Sequence, residues 1–156
     1  MLLKDANKIV ELLKKYNLTV STAESCTGGL LSGAITAVSG SSEVFNAGIV
    51  TYSNEAKMKY LGVKEETLSN YGAVSRQTAL EMSMGVKKAN CSDIGVGITG
   101  IAGPTGGTAE KPVGLVFISV NDVVTENHFD GDRDNVRKSA VVKALNMLYD
   151  FVENNH

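Results

Sequence analysis

The chain has 156 residues, 43% of them apolar, which is enough for one domain with a buried core and leaves little room for a second. Its 15 basic and 17 acidic side chains leave a net charge of -2, and the lysines are scattered. The cationic footprint of a nucleic-acid-binding domain is therefore missing, and neither DNA nor RNA is an expected partner.

Charge begins almost at once, at Lys4 and Asp5, so the N-terminus does not read as a signal peptide. No apolar run approaches the roughly 20 residues that cross a bilayer. A soluble, cytoplasmic protein with no membrane partner is expected. Leu3, Ala6, Ile9, Val10 and Leu13 recur at helical spacing, and Asn17 suits a left-handed stop. Residues 18–23 read as the first strand, and Gly28-Gly29 opens a helix carrying Leu30, Leu31, Ala34, Ile35 and Val38. Residues 45–51 read as a second strand, with Ser53 or Asn54 capping a short helix that Gly62 closes. Another short helix spans residues 64–71, stopped by Gly72, and Ser75 caps a longer one to about Ala89. Residues 94–99 form a compact strand leading into Gly100-Ile101-Ala102-Gly103-Pro104-Thr105-Gly106-Gly107-Thr108. Strands over 113–120 and 123–129, joined by Asn121-Asp122, predict an antiparallel hairpin. A last helix starts near Asp132, with Val136, Ala140, Val141, Ala144, Leu145 and Leu148 on one stripe. Strands alternating with helices give an α/β fold: a three-layer α/β/α sandwich with a mixed, mostly parallel five-stranded sheet, as one domain over residues 1–156.

Four segments can carry chemistry. In Thr22-Ala23-Glu24-Ser25-Cys26-Thr27-Gly28-Gly29, Ser25 falls where a strand ends and a helix begins, the place where open α/β sheets bind ligands. Its hydroxyl is either a nucleophile flanked by the backbone donors of Cys26 and Thr27, or a helix cap followed by packing glycines. In Thr51-Tyr52-Ser53-Asn54-Glu55-Ala56-Lys57, Lys57 lies in the first turn of a helix. An unperturbed lysine is neutral in only about one molecule in 2500 at pH 7. A helix N-terminus and burial both disfavour its charge, and a pKa of about 7–8 would make it a useful base. That shift costs the ammonium about 4 kcal/mol. Tyr52 would then hydrogen-bond the serine or relay a proton; alternatively Lys57 is solvated and Tyr52 is a half-buried strand residue.

The glycine-rich stretch from Gly100, through Gly103, Thr105 and Gly106, to Gly107 lets a loop approach an anion closely. It lacks the Gly-Lys-Ser/Thr ending of a P-loop and does not match the dinucleotide fingerprint. In Asp130-Gly131-Asp132-Arg133-Asp134-Asn135-Val136-Arg137, the two arginines stand one helical turn apart, available for a phosphate or for the neighbouring aspartates. The two cysteines, Cys26 and Cys91, are too few for a disulfide framework or zinc cluster, and His128 and His156 do not complete a metal site. No metal and no cofactor is expected. Cys26 has no histidine to activate it and reads as structural; His128 reads as an exposed strand residue.

Taken together, the segments Ala23–Gly29, Gly48–Lys57, Gly72–Ser75, Gly97–Pro104 and Gly131–Arg133 resemble the C-terminal domain of the competence- and damage-inducible CinA proteins, a family of nicotinamide-nucleotide amidases. The likeness runs from about Lys4 to Tyr149. It implies hydrolysis of nicotinamide mononucleotide to nicotinate mononucleotide and ammonia without a metal, with Ser25 as nucleophile, Lys57 as base and Tyr52 assisting. Cys26 and Thr27 would supply backbone donors, and Gly28, Gly29, Gly100, Gly103, Thr105, Gly106 and Arg133 would hold the substrate. Many relatives carry an additional N-terminal nucleotide- or pterin-binding-like domain; nothing in this chain matches it, so the pyrophosphatase activity tied to it is not expected here. The partner implied is a small-molecule nucleotide, and a homodimer is an admissible assembly. The rival reading is a non-catalytic nucleotide- or phosphate-binding module of a competence or DNA-damage pathway, and a third is an amidase for another small amide.

Overall fold

A computed structural model describes the backbone of residues 2–156 and the side chains from residue 4 onward. Helix α1 (Leu2–Tyr16) turns Ala6, Ile9, Val10 and Leu13 into the core. Leu3, expected on the same face, lies outside the described side chains. Asn17 ends the helix at φ 53, a conformation its short amide side chain tolerates. Strand β1 (Val20–Glu24) starts later than residue 18 because the Leu18 N–H still caps α1 by donating to the Leu13 carbonyl.

The remaining elements follow the expected order. They are α2 (Leu30–Thr36), β2 (Phe45–Val50), α3 (Asn54–Leu61), α4 (Glu65–Tyr71), α5 (Arg76–Ala89), β3 (Ile94–Gly100), β4 (Leu115–Val120), β5 (Val123–His128) and α6 (Arg133–Asn155). Ser53, Ser75 and Asp132 cap α3, α5 and α6 through their side chains, each accepting a main-chain N–H from the first turn. Strand β4 begins at Leu115 rather than Val113 because Gly114, at φ +94, folds its N–H back onto the Ile101 carbonyl.

The sheet order is β2-β1-β3-β4-β5. Strands β2, β1 and β3 are parallel, and β4 runs antiparallel to both β3 and β5, so one strand of the five is reversed. Helices α1, α2 and α6 cover one face over the larger apolar core, and α3, α4 and α5 cover the other. The chain is thus a three-layer α/β/α sandwich. The connection from β1 to β2 runs through α2 on one face, whereas that from β2 to β3 runs through α3–α5 on the other. The carboxyl ends of β1 and β3 therefore flank a topological switch point, where a crevice opens between diverging loops.

Strand β3 reads Ile94-Gly95-Val96-Gly97-Ile98, and the alternation sorts it by face. Ile94, Val96 and Ile98 enter the larger core, while Gly95 and Gly97 face α5. A Cβ on Gly95 would run into the Ser83 carbonyl oxygen, and one on Gly97 into that of Ala79. These two positions let α5 lie directly on the sheet. Gly95→Ala is expected to lose about 1–3 kcal/mol through overpacking. The check is a lower urea midpoint at unchanged m-value; an unaltered midpoint would contradict this close approach.

Candidate active site

Three chain segments meet at the switch point. The turn after β1 carries Ser25, the segment after β2 leads into α3 with Lys57, and the loop after β3 brings Gly100 to Gly106. The sheet ladder continues one step past β1, with Ser25 N–H donating to Ile98 O and Thr51 N–H to Glu24 O. The first residue beyond the strand is therefore held as firmly as the strand itself. Ser25, Cys26, Tyr52, Lys57, Thr99, Gly100, Ile101, Gly103, Thr105, Gly106 and Arg133 line one cavity of about 340 Å³. Sequence reasoning singled out most of these from four separate segments, and folding brings them around one space.

Lys57 is 1% exposed. Its Nζ lies 3.1 Å from Ser25 Oγ, 2.8 Å from the Thr51 carbonyl oxygen and 3.3 Å from that of Tyr52. Among the described residues no carboxylate pairs with it. Burial pushes its pKa below the ordinary lysine value, with the neighbouring Cys26 acting in the opposite direction. A neutral amine has two N–H donors and one lone pair. In that form the two carbonyls would take the donors and the lone pair would face the Ser25 hydroxyl, whereas the protonated amine donates to all three oxygens. The solvated reading of Lys57 does not hold: the helix that Ser53 caps turns this side chain inward.

Cys26 also borders the cavity but is 6% exposed, and burial pushes its thiol up to about 11, with its own main-chain N–H pulling the other way. A thiol that reluctant to ionise, without a base of its own, is a poor nucleophile. The N–H groups of Cys26 and Thr27 donate to no other residue among those described. The Thr27 side chain is fully buried and Thr27 does not border the cavity.

Glu24, given no role from sequence, is fully buried behind Ser25. Its carboxylate accepts from the Leu31 and Ser32 N–H groups at 2.8 and 3.0 Å and from the Ser32 hydroxyl at 2.8 Å. It thereby locks the start of α2 to the end of β1. The only sequence signal for it was an acid between a strand and a helix start.

Tyr52 is 63% exposed at the rim, and its hydroxyl accepts from Arg133 Nη2 at 3.2 Å rather than meeting Ser25. What it offers Lys57 directly is its main-chain carbonyl. Arg133 also donates from Nη1 to the Gly103 carbonyl at 2.9 Å, bridging the rim to the glycine-rich loop. Arg137 donates to the carbonyls of Cys26 and Thr27. Neither arginine pairs with the flanking aspartates, since Asp134 takes Lys138 and Asp132 caps α6. Gly28 and Gly29, expected at the substrate, instead line a separate groove of about 440 Å³ with Leu30, Gly33, Ala34 and Arg137. Their left-handed backbone, at φ 58 and 102, carries the chain from the Ser25 turn into α2. His128 lies on edge strand β5, with its side chain 61% exposed.

The glycine-rich loop is tied at both ends, by Ile101 N–H to Leu115 O and Gly114 N–H to Ile101 O, and Lys111 Nζ reaches the Tyr71 carbonyl across its flank. The N–H groups of Gly103, Thr105 and Gly106 donate to no other residue among those described. The cavity lining contains two basic side chains and no acidic one. Among the described residues, no group of His, Cys, Asp and Glu is arranged to hold a metal ion, and no helix is long and apolar enough to cross a membrane.

The model of the CinA C-terminal domain matches residues 3–152. A CinA-like protein of Kosmotoga olearia is 54% identical over 144 residues, which is 90% of this chain and 35% of that protein. The chain thus spans about a third of the length of the curated relatives it matches. The crystal structure of the competence/damage inducible protein CihA from Agrobacterium tumefaciens superimposes with a TM-score of 0.91 at 46% identity, covering 96% of this chain and 94% of that one. The competence damage-inducible protein A from Klebsiella pneumoniae superimposes with a TM-score of 0.96 at 32% identity, covering 99% of each. The chain belongs to the family of the CinA C-terminal domain.

Proposed function

We propose that this chain is an amidohydrolase domain that converts nicotinamide mononucleotide to nicotinate mononucleotide and ammonia, with Ser25 as nucleophile and Lys57 as general base. The observation that carries the reading is the buried amine of Lys57, 3.1 Å from Ser25 Oγ and without a counter-ion among the described residues. Such an amine is a proton acceptor held against a hydroxyl. The substrate follows from the family likeness, and two features of the cavity agree with a phosphate ester: the Arg133 guanidinium in its lining and the free N–H groups of the loop after β3.

The chemistry balances without an added group. Neutral Lys57 takes the Ser25 proton as Oγ bonds to the carboxamide carbon, and the carbonyl oxygen becomes an oxyanion facing the Cys26 N–H at the cavity wall. Lys57 returns that proton to the amide nitrogen as the C–N bond breaks and ammonia leaves. Water then attacks the acyl-serine, giving a proton to Lys57 that passes back to Ser25 Oγ as the acid departs. Tyr52 steadies the amine through its main-chain carbonyl and holds Arg133 at the rim. The Thr105 and Gly106 N–H groups, with Arg133, receive the phosphate.

Ammonia release from nicotinamide mononucleotide tests the reading directly. Ser25→Ala and Lys57→Ala are each expected to lose about 10⁴-fold or more in kcat, as members of one acting unit. Cys26→Ala should stay within about tenfold of wild type, because its thiol takes no part in the proton transfer. Full-speed hydrolysis by Ser25→Ala would sink the proposal. Ligand binding without any ammonia from wild type would favour the non-catalytic module.

Lys57 also sets a pH dependence. Its folded-state pKa is lowered, so between that value and about 10.4 the unfolded chain binds one proton more than the native one. Stability in that window therefore rises with pH. Lys57→Met should flatten this slope in denaturant titrations across alkaline pH. The rising limb of kcat/KM should likewise fall below the ordinary lysine value; a limb at that value would mean the amine is not tuned.

A further inference from the structure

Arg137 takes no part in the chemistry above, yet it commits two donors to the nucleophile turn. From the second turn of α6 it reaches the Cys26 carbonyl with Nε at 3.0 Å and the Thr27 carbonyl with Nη2 at 3.2 Å. Its planar fork matches two successive carbonyls better than a lysine ammonium could. Gly28 leaves the room, since a Cβ there would stand 3.3 Å from Arg137 Nη2. Arg137 lines the groove behind the turn and not the cavity in front of it.

Three successive peptide planes are fixed as a result. The Ser25 carbonyl accepts from Gly28 N–H at 3.0 Å, and those of Cys26 and Thr27 accept from Arg137. A trans peptide carries its C=O and N–H on opposite edges, and the described cis bond is elsewhere, at Gly103-Pro104. Pinning the Ser25 carbonyl to Gly28 thus turns the Cys26 N–H outward. The Cys26 N–H is the group of the turn that the proposed oxyanion would use, and it donates to no other residue among those described. A cation on the Thr27 carbonyl also polarises the amide whose N–H, that of Gly28, holds the Ser25 carbonyl.

We propose that Arg137 is the positioning residue of the oxyanion site, holding the turn through the Cys26 and Thr27 carbonyls from behind so that the Cys26 N–H stays aimed at the charge that develops when Ser25 attacks. The role rests on Ser25 being the nucleophile, but not on the identity of the amide. It acts on the transition state and leaves ground-state binding of the nucleotide nearly untouched.

The test uses a reaction that needs nucleophile, base and oxyanion donors but no particular substrate: phosphonylation of Ser25 by a fluorophosphonate. Ser25 Oγ bonds to phosphorus, the P–F bond breaks, fluoride leaves, the serine proton passes to Lys57, and the phosphoryl oxygen occupies the oxyanion position. Wild type, Arg137→Ala and Arg137→Lys are compared by intact mass, beside kcat and KM for nicotinamide mononucleotide. Removing one oxyanion donor costs about 10²–10³ in kcat, so Arg137→Ala should label at least about tenfold more slowly, with kcat falling and KM little changed. Methylguanidinium should restore part of the rate to Arg137→Ala. Arg137→Lys should recover less than wild type, because a point charge cannot hold both carbonyls. Equal labelling of Ser25 in wild type and Arg137→Ala overturns the role while leaving the nucleophile in place. So does a loss that matches the unfolded fraction seen by circular dichroism. If Arg137→Ala does not fold, Arg137→Lys decides, and wild-type rates there overturn the role. Arg137-dependent labelling of a wild type that releases no ammonia would keep the role and refute the substrate; no labelling of wild-type Ser25 would remove both.

Discussion

The site depends on an amine taken out of water without a partner charge among the described residues. Lys57 sits between a serine hydroxyl and two main-chain carbonyls, 1% exposed. Burying an ammonium there is costly, and the available relief is to lose the proton. The fold accepts an element that weakens it near neutral pH, and the proposed chemistry uses that element. Two carbonyls at the end of β2 suit the neutral form, since they accept its two hydrogens and turn its lone pair toward Ser25.

A base is useful only if the hydroxyl and the developing charge are held still, and the turn after β1 is gripped from three directions. The sheet holds Ser25 through Ile98, Glu24 anchors the following helix, and Arg137 takes two carbonyls from α6. These restraints come from widely separated parts of the chain and converge within a few residues. Preorganisation of this kind lets backbone donors act without rearranging at the moment of reaction. On the other side of the cavity, Arg133 joins the rim tyrosine to the loop after β3. The two arginines of one helix thus divide the work, one at the rim and one behind the turn.

Local rules carried much of the reading from sequence. Ser53, Ser75 and Asp132 are caps because short polar side chains satisfy the free N–H groups of a first helical turn. The Ile/Gly alternation of β3 separates its two faces, and Asn121, at φ 50, turns the hairpin. Strand limits shifted where a remote or cap bond intervened, as at Leu18 and Gly114. The residues around the cavity were legible as segments because strand ends at a switch point are where α/β sheets bind ligands. A glycine pair signals backbone freedom, not the side of the chain on which space opens, and Gly28 and Gly29 line a separate groove.

By itself, the sequence determined the alternation of strands and helices, the caps of the main helices, and the short segments that carry reactive side chains. Each of these follows from periodicity, capping and turn preference over a few neighbouring residues. Only the tertiary structure decided that Lys57 is dry, that the Tyr52 hydroxyl answers Arg133 and not Ser25, and that Arg137 grips carbonyls instead of aspartates. Those outcomes depend on desolvation and on which groups meet across the sheet. Both are properties of distance in space, to which spacing along the chain is blind.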